Sequence, residues 1–230
     1  MEQLRVFVSQ CIDESIKAKQ DFYKHNTDKV IQVAEMMGRT FANGGKVLIF
    51  GNGGSAADAQ HMAAEMVGRM LCERKIHLPA IALTTDSSNL TAIANDYTYD
   101  DIFDFQVKAL GRSGDIAIGI STSGNSKNVV KAMESAKRIG MKTISFTGGS
   151  GGKLKELSDV NLNVALGKQA STIQETHITI IHLVVDIMDR HFLPDGYVIT
   201  GGKAGAELME MARPFVFRRY VDYSAFAAMR

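Results

Sequence analysis

Four short apolar runs, at 46–50, 80–83, 115–120 and 142–146, are separated by stretches of helical periodicity, and this alternation narrows the choice of fold more than any other feature. Each run is too short for a helix and is apolar on successive residues, as a strand buried on both faces requires. The patterns at 56–70, 90–110 and 127–139, with a shorter one from Lys153, place a helix between consecutive strands. A fifth run fits at 160–164, and after it a long apolar helix over about 172–191. Strand and helix in alternation predict a doubly wound parallel α/β sheet.

Ahead of the sheet, Leu4, Phe7, Val8, Cys11, Ile12 and Ile16 recur at three- and four-residue steps, which predicts an amphipathic helix that needs something to cover. Asn26 or Thr27 would cap a second helix running through Val30, Val33, Met37 and Phe41. The expected division is one domain over 1–192, N-terminal helices included, and an extension over 193–230, rich in glycine and then in aromatic residues, that suggests no role.

Composition excludes several classes. At 230 residues and 45% hydrophobic content, the chain can bury one sizeable core. Its 26 basic and 25 acidic residues leave a formal charge of +1, so no long-range field favours nucleic acid or a membrane surface. Any anion site must be local. Cys11 and Cys72 are too few for a disulfide framework and lack zinc-thiolate spacing. The first residues lack a signal-like apolar core, and no run approaches the ~18 apolar residues of a membrane span. A soluble cytoplasmic protein, without nucleic-acid or membrane partners, is the expectation.

The loops at the strand ends point to a ligand: GNGGS at 51–55, TTDSSN at 84–89, STSGNS at 121–126 and TGGSGG at 147–152. In a parallel sheet these loops gather at the carboxyl edge, where glycine lets backbone N–H groups approach a ligand and helix N-termini favour an anion. Glycine and serine also make ordinary turns and caps, a reading that weakens as such loops accumulate. In STSGNS, Ser121, Thr122, Ser123 and Ser126 could offer several hydroxyls to one phosphate. Two better-known motifs fail. GNGGSA imitates a dinucleotide fingerprint, but the next strand ends near Asp86, well beyond the ~20-residue spacing of a ribose-binding acid. GGSGGK has Thr147 where a P-loop needs glycine and Leu154 where it needs a magnesium-binding hydroxyl.

Two helices carry the remaining chemistry. His61 and Glu65 stand four apart on one face of the helix after GNGGS. Gln174 and His182 stand about two turns apart among apolar residues, where a polar group must be satisfied. His177, nearby, reads as a helix-surface or interface residue. If the helices meet, the four side chains offer two imidazoles, a carboxylate and an amide oxygen to a divalent ion. Without metal, Glu65 and His182 form an acid/base pair suited to moving a proton between neighbouring carbons.

GNGGSAADAQHMAAEMVGR, AIANDY, GISTSGNS and IQETHITIIH together resemble the sugar isomerase (SIS) family, and within it the phosphoheptose isomerases. The likeness extends to about His191. It implies a flavodoxin-like fold with added N-terminal helices and a cytoplasmic homotetramer. The implied reaction converts D-sedoheptulose 7-phosphate to D-glycero-D-manno-heptose 7-phosphate through an enediol, the first step toward the ADP- or GDP-heptose of lipopolysaccharide and other surface glycans. It further implies one zinc per subunit on His61, Glu65, Gln174 and His182, with Glu65 and His182 catalytic. Substrate contacts would fall on Asn52, Gly53, Gly54, Glu65, Arg69, Asn95, Asp96, Ser121, Thr122, Ser123, Ser126 and Gln174. Where many relatives carry a charged segment before Gln174, this chain reads Ala170-Ser171-Thr172. The rival from another class is a non-enzymatic SIS adaptor that binds the replication initiator DnaA, resembled in LPAIALTTD and LTAIANDY; such a protein has no need of Glu65 or His182.

Overall fold

The computed structural model describes residues 1–68, 70, 73–74, 77–193 and 198–199. Five strands form one parallel sheet: β1 (Val47–Gly51), β3 (Ala80–Ala82), β4 (Ile116–Ser121), β5 (Lys142–Gly148) and β6 (Val160–Val164), in the order β3-β1-β4-β5-β6. This is the flavodoxin-like order, with the chain reversing direction across the sheet between β1 and β4. A separate two-residue antiparallel ladder joins β2 (Glu73–Arg74) to β7 (Val198–Ile199). Most of the expected extension, and Arg69 with it, lies outside the described residues.

Alternation along the strands builds two cores. Val47, Ile49, Ile116, Ile118, Ile120, Ile144 and Phe146 face one side, where α1 (Glu2–Ala42), α2 (Gly54–Val67) and α7 (Ala170–Ile187) cover them. Leu48, Phe50 and Ala117 face the other, under α4 (Ile102–Leu110), α5 (Lys127–Ile139) and α6 (Gly152–Leu157). On that second side β5 carries Thr143, Ser145 and Thr147, all buried. Their hydroxyls are satisfied sideways: Asn161 donates to Ser145 Oγ and Thr147 Oγ1, each at 2.8 Å, and Thr147 donates to Asn163 at 2.9 Å.

Two helix boundaries differ from the expectation. The two N-terminal helices are one, because Asn26 and Thr27 do not cap. Asn26 Nδ2 donates to Phe22 O at 3.0 Å and Thr27 Oγ1 to Tyr23 O at 2.5 Å, so both side chains bond back into the preceding turn and the ladder continues. Conversely, the helix expected over 90–110 is broken. α3 (Ser87–Asp96) ends before Thr98, whose extended backbone and 2.6 Å bond to Asp101 hold a 3-10 turn at Tyr99–Asp101 before α4 begins. α7 continues as a π-helical turn at Met188–Phe192.

Candidate active site

The switch point brings the loops after β1 and β4 together, and both lead into helices whose N-termini have no side-chain cap. Gly53, at φ +56° in the left-handed region, makes the turn into α2. At Gly54 the requirement is space. A Cβ there would lie 2.4 Å from Gln174 Nε2, so glycine lets α7 approach the first turn of α2. Across the crevice, Ser121 Oγ lies 2.9 Å from Ser126 Oγ and 3.4 Å from Ser123 Oγ. Three hydroxyls of STSGNS therefore cluster at the start of α5, with Thr122 half-buried among them in the chain.

The other two loops make structural contacts. In TTDSSN, Asp86 caps α3 by accepting from Asn89 N–H at 3.0 Å. The first turn of α6, just after TGGSGG, supports STSGNS: Leu154 N–H donates to Gly124 O and Lys153 N–H to Asn125 Oδ1, both at 3.0 Å. Asn95 and Asp96 close the exposed α3, with Asn95 Nδ2 donating to Asp96 Oδ1 at 2.8 Å. The next turn carries Tyr99, whose hydroxyl reaches Asn52 Oδ1 at 3.2 Å.

Beside this crevice α2 and α7 join. His61 Nε2 lies 2.9 Å from His182 Nε2, with the rings nearly edge-on at 69°, and 3.5 Å from Glu65 Oε1. One imidazole donates and the other accepts, so the pair shares a single proton at that contact. Gln174 sits against Gly54, toward the N-terminal end of α2. His61, Glu65 and His182 thus meet pairwise through His61. Among the described residues, no three His, Cys, Asp or Glu side chains form a closed ion cluster. Two nitrogens on a tetrahedral zinc stand about 3.3 Å apart, so the 2.9 Å contact would open by a few tenths of an ångström to admit one. Imidazole nitrogens and a carboxylate oxygen are donors that a divalent ion accepts.

Asp58, Asn125 and Asn128 are not singled out by the sequence reading. Asp58, one turn before His61 on α2, is buried at 8% exposure, and its Oδ2 lacks a hydrogen-bond partner among the described residues. Burial pushes its carboxyl up to about 6, opposed by the charge on His61. Its place in the run SAADAQ, one turn ahead of His61, was the available signal. Asn125 and Asn128 flank Ser126 and read as loop filler and helix start. His177, expected at a helix surface or an interface, is completely buried: it bonds Thr147 O through Nε2 at 3.1 Å and packs edge-on to Phe146. Burial lowers its pKa to about 4, so the ring is neutral.

A cavity of about 430 Å³ lined by Asn43, Lys46, Arg112 and Asp115 lies at the opposite, amino edge of the sheet. Asp115 there already accepts from Lys46 N–H, Lys46 Nζ and Arg112 N–H, which makes it a structural anchor.

An open parallel sheet with a hydroxyl-lined switch point, next to a carboxylate and two imidazoles, defines an α/β protein built to handle a small polar ligand. The SIS domain profile matches residues 10–148, and the chain belongs to that family. It is 54% identical over 167 residues to a probable phosphoheptose isomerase of Thermoplasma acidophilum, covering 73% of this chain and 91% of that protein. Identity is 51% over 183 residues with the phosphoheptose isomerase of Thermodesulfovibrio yellowstonii, covering 79% and 90%. The solved phosphoheptose isomerase of Neisseria gonorrhoeae superposes with a TM-score of 0.76 at 48% identity, over 81% of this chain and 98% of that one.

Proposed function

We propose that this chain is a phosphoheptose isomerase that interconverts D-sedoheptulose 7-phosphate and D-glycero-D-manno-heptose 7-phosphate. The observation that carries the reading is the meeting of Glu65, His61 and His182 beside the hydroxyl-lined switch point. Relatives bearing the phosphoheptose isomerase name cover most of the chain at about half identity, which supports the same conclusion. The phosphate would sit on Ser121, Thr122, Ser123 and Ser126 and the N–H groups of the GNGGS turn, where two helix N-termini favour negative charge. Asn52, Asn95 and Asp96 would contact the sugar.

Glu65 takes the proton from C1 of the ketose while the C2 carbonyl oxygen gains one, giving the enediol. Glu65 then returns a proton to C2 as the C1 hydroxyl loses its own, leaving the aldose. His182 moves the proton between the two oxygens. His61, Glu65, Gln174 and His182 would hold one zinc per subunit, which when bound polarises or positions the sugar oxygens. A homotetramer in the cytoplasm, feeding heptose into lipopolysaccharide or related glycans, completes the proposal. The DnaA adaptor reading is not favoured, because Glu65 and His182 are retained and brought to one site.

Glu65→Gln tests the assignment of the base. Turnover is expected to fall about 10²- to 10⁴-fold with sugar-phosphate affinity retained. Undiminished turnover would remove Glu65 from this role.

A further inference from the structure

Asn52 and Asn128 face each other across the switch point and exchange hydrogen bonds through their side-chain amides. Asn52 Nδ2 donates to Asn128 Oδ1 and Asn128 Nδ2 donates to Asn52 Oδ1, both at 2.9 Å. Asn52 stands in the loop leaving β1, half-buried, whereas Asn128 lies in the first turn of α5 at 2% exposure. Two further donors complete the arrangement: Val129 N–H to Asn128 Oδ1 at 2.9 Å and the Tyr99 hydroxyl to Asn52 Oδ1 at 3.2 Å.

An amide oxygen has two lone pairs and an amide nitrogen two N–H groups. Both oxygens are therefore saturated, and each amide keeps one N–H. An isolated asparagine in this loop could turn either its oxygen or its nitrogen toward a ligand. Here the choice is fixed, because turning Asn52 over would set oxygen against oxygen and nitrogen against nitrogen. What remains for a ligand is a donor, as phosphate and sugar oxygens require. The same clasp ties the turn after β1 to the start of α5, and so sets the gap between the two loops that flank the crevice.

We propose that Asn128 is a positioning residue for the phosphosugar, holding Asn52 with its N–H outward and fixing the spacing of the GNGGS and STSGNS loops. The inference rests on the isomerase reading above for its ligand, but it requires only that the phosphosugar bind. Its test is the Kd of sedoheptulose 7-phosphate by calorimetry, with kcat and KM alongside, for the wild type, Asn128→Ala, Asn52→Ala and the double variant.

Asn128→Ala is expected to raise Kd and KM about tenfold while kcat stays within about twofold, since Glu65 and His182 are untouched. The double variant is expected to bind no worse than the weaker single one, because the two amides act through each other. An unchanged Kd, losses that multiply in the double variant, or a fall in kcat at constant KM overturns the proposal. If Asn128→Ala does not fold, Tyr99→Phe carries the test: it removes one bond to Asn52 from an exposed ring, with a Kd rise of about threefold expected and no rise overturning the inference. Wild-type protein that binds the sugar phosphate without converting it contradicts the isomerase reading and leaves the clasp judged on Kd alone. Failure of the wild type to bind overturns both.

Discussion

His177 and Asp58 are ionisable groups that burial holds toward their uncharged forms, and they pull stability in opposite directions over one pH range. The folded pKa of His177 is about 4 against 6.5 for the free side chain, so the unfolded chain takes up the proton first as pH falls. Its contribution is fully present above pH 6.5 and is lost on the way down to about pH 4, with a size of about 3 kcal/mol. Asp58 has the reverse sign. Its folded pKa is about 6 against 3.8, so it weakens the native state as pH rises from about 4 to 6. His177→Gln, which keeps a donor for Thr147 O, is expected to make stability rise less with pH in this range than in the wild type. Asp58→Asn is expected to make it rise more. Denaturant melts from about pH 4 to 7 check both, and identical slopes in wild type and variants would contradict the assignment. The sequence reading sets His182 in the candidate site and His177, five residues earlier on the same helix, at a surface or interface; the position of α7 over Phe146 shows instead that the His177 imidazole is sealed, while His182 reaches His61.

At the scale of elements, STSGNS, the loop proposed to hold the phosphate, is braced by its neighbour. Gly124 and Gly152, both at positive φ, bring two turns into contact: a Cβ on Gly152 would lie 2.6 Å from Gly124 C and from Ser123 O. Gly152→Ala therefore strains its own backbone and pushes STSGNS. A loss of about 2 kcal/mol is expected, together with a raised KM for the sugar phosphate. Wild-type stability and KM would contradict this coupling. The five sheet strands and α5 were legible from apolar runs and 3.6-residue periodicity, because these signals are local. The roles of the four glycine- and serine-rich loops were not, since TGGSGG and STSGNS differ less in composition than in what packs on them. The missing break at Asn26 and the unexpected one at Thr98 turn on where side chains bond: Asn26 and Thr27 bond back to the preceding turn and let the helix run on, whereas Thr98 bonds forward to the Asp101 carboxylate.

At the scale of the molecule, the described residues leave an apolar stripe of α1 exposed. Leu4, Phe7, Val8, Ile12 and Ile16 are 62%, 61%, 55%, 54% and 47% exposed along α1. Such a face suits burial between copies, as the proposed tetramer requires. Phe7→Glu is expected to shift the assembly to smaller species by light scattering, and an unaltered tetramer would contradict that use of α1. No described helix is long and apolar enough to cross a membrane. The central claim is the chemistry, and the most direct measurement is turnover of sedoheptulose 7-phosphate by the purified full chain, monitored by NMR with and without added zinc. Conversion to the aldose phosphate, faster with zinc, is the predicted result. A folded protein that converts none under either condition would contradict the account.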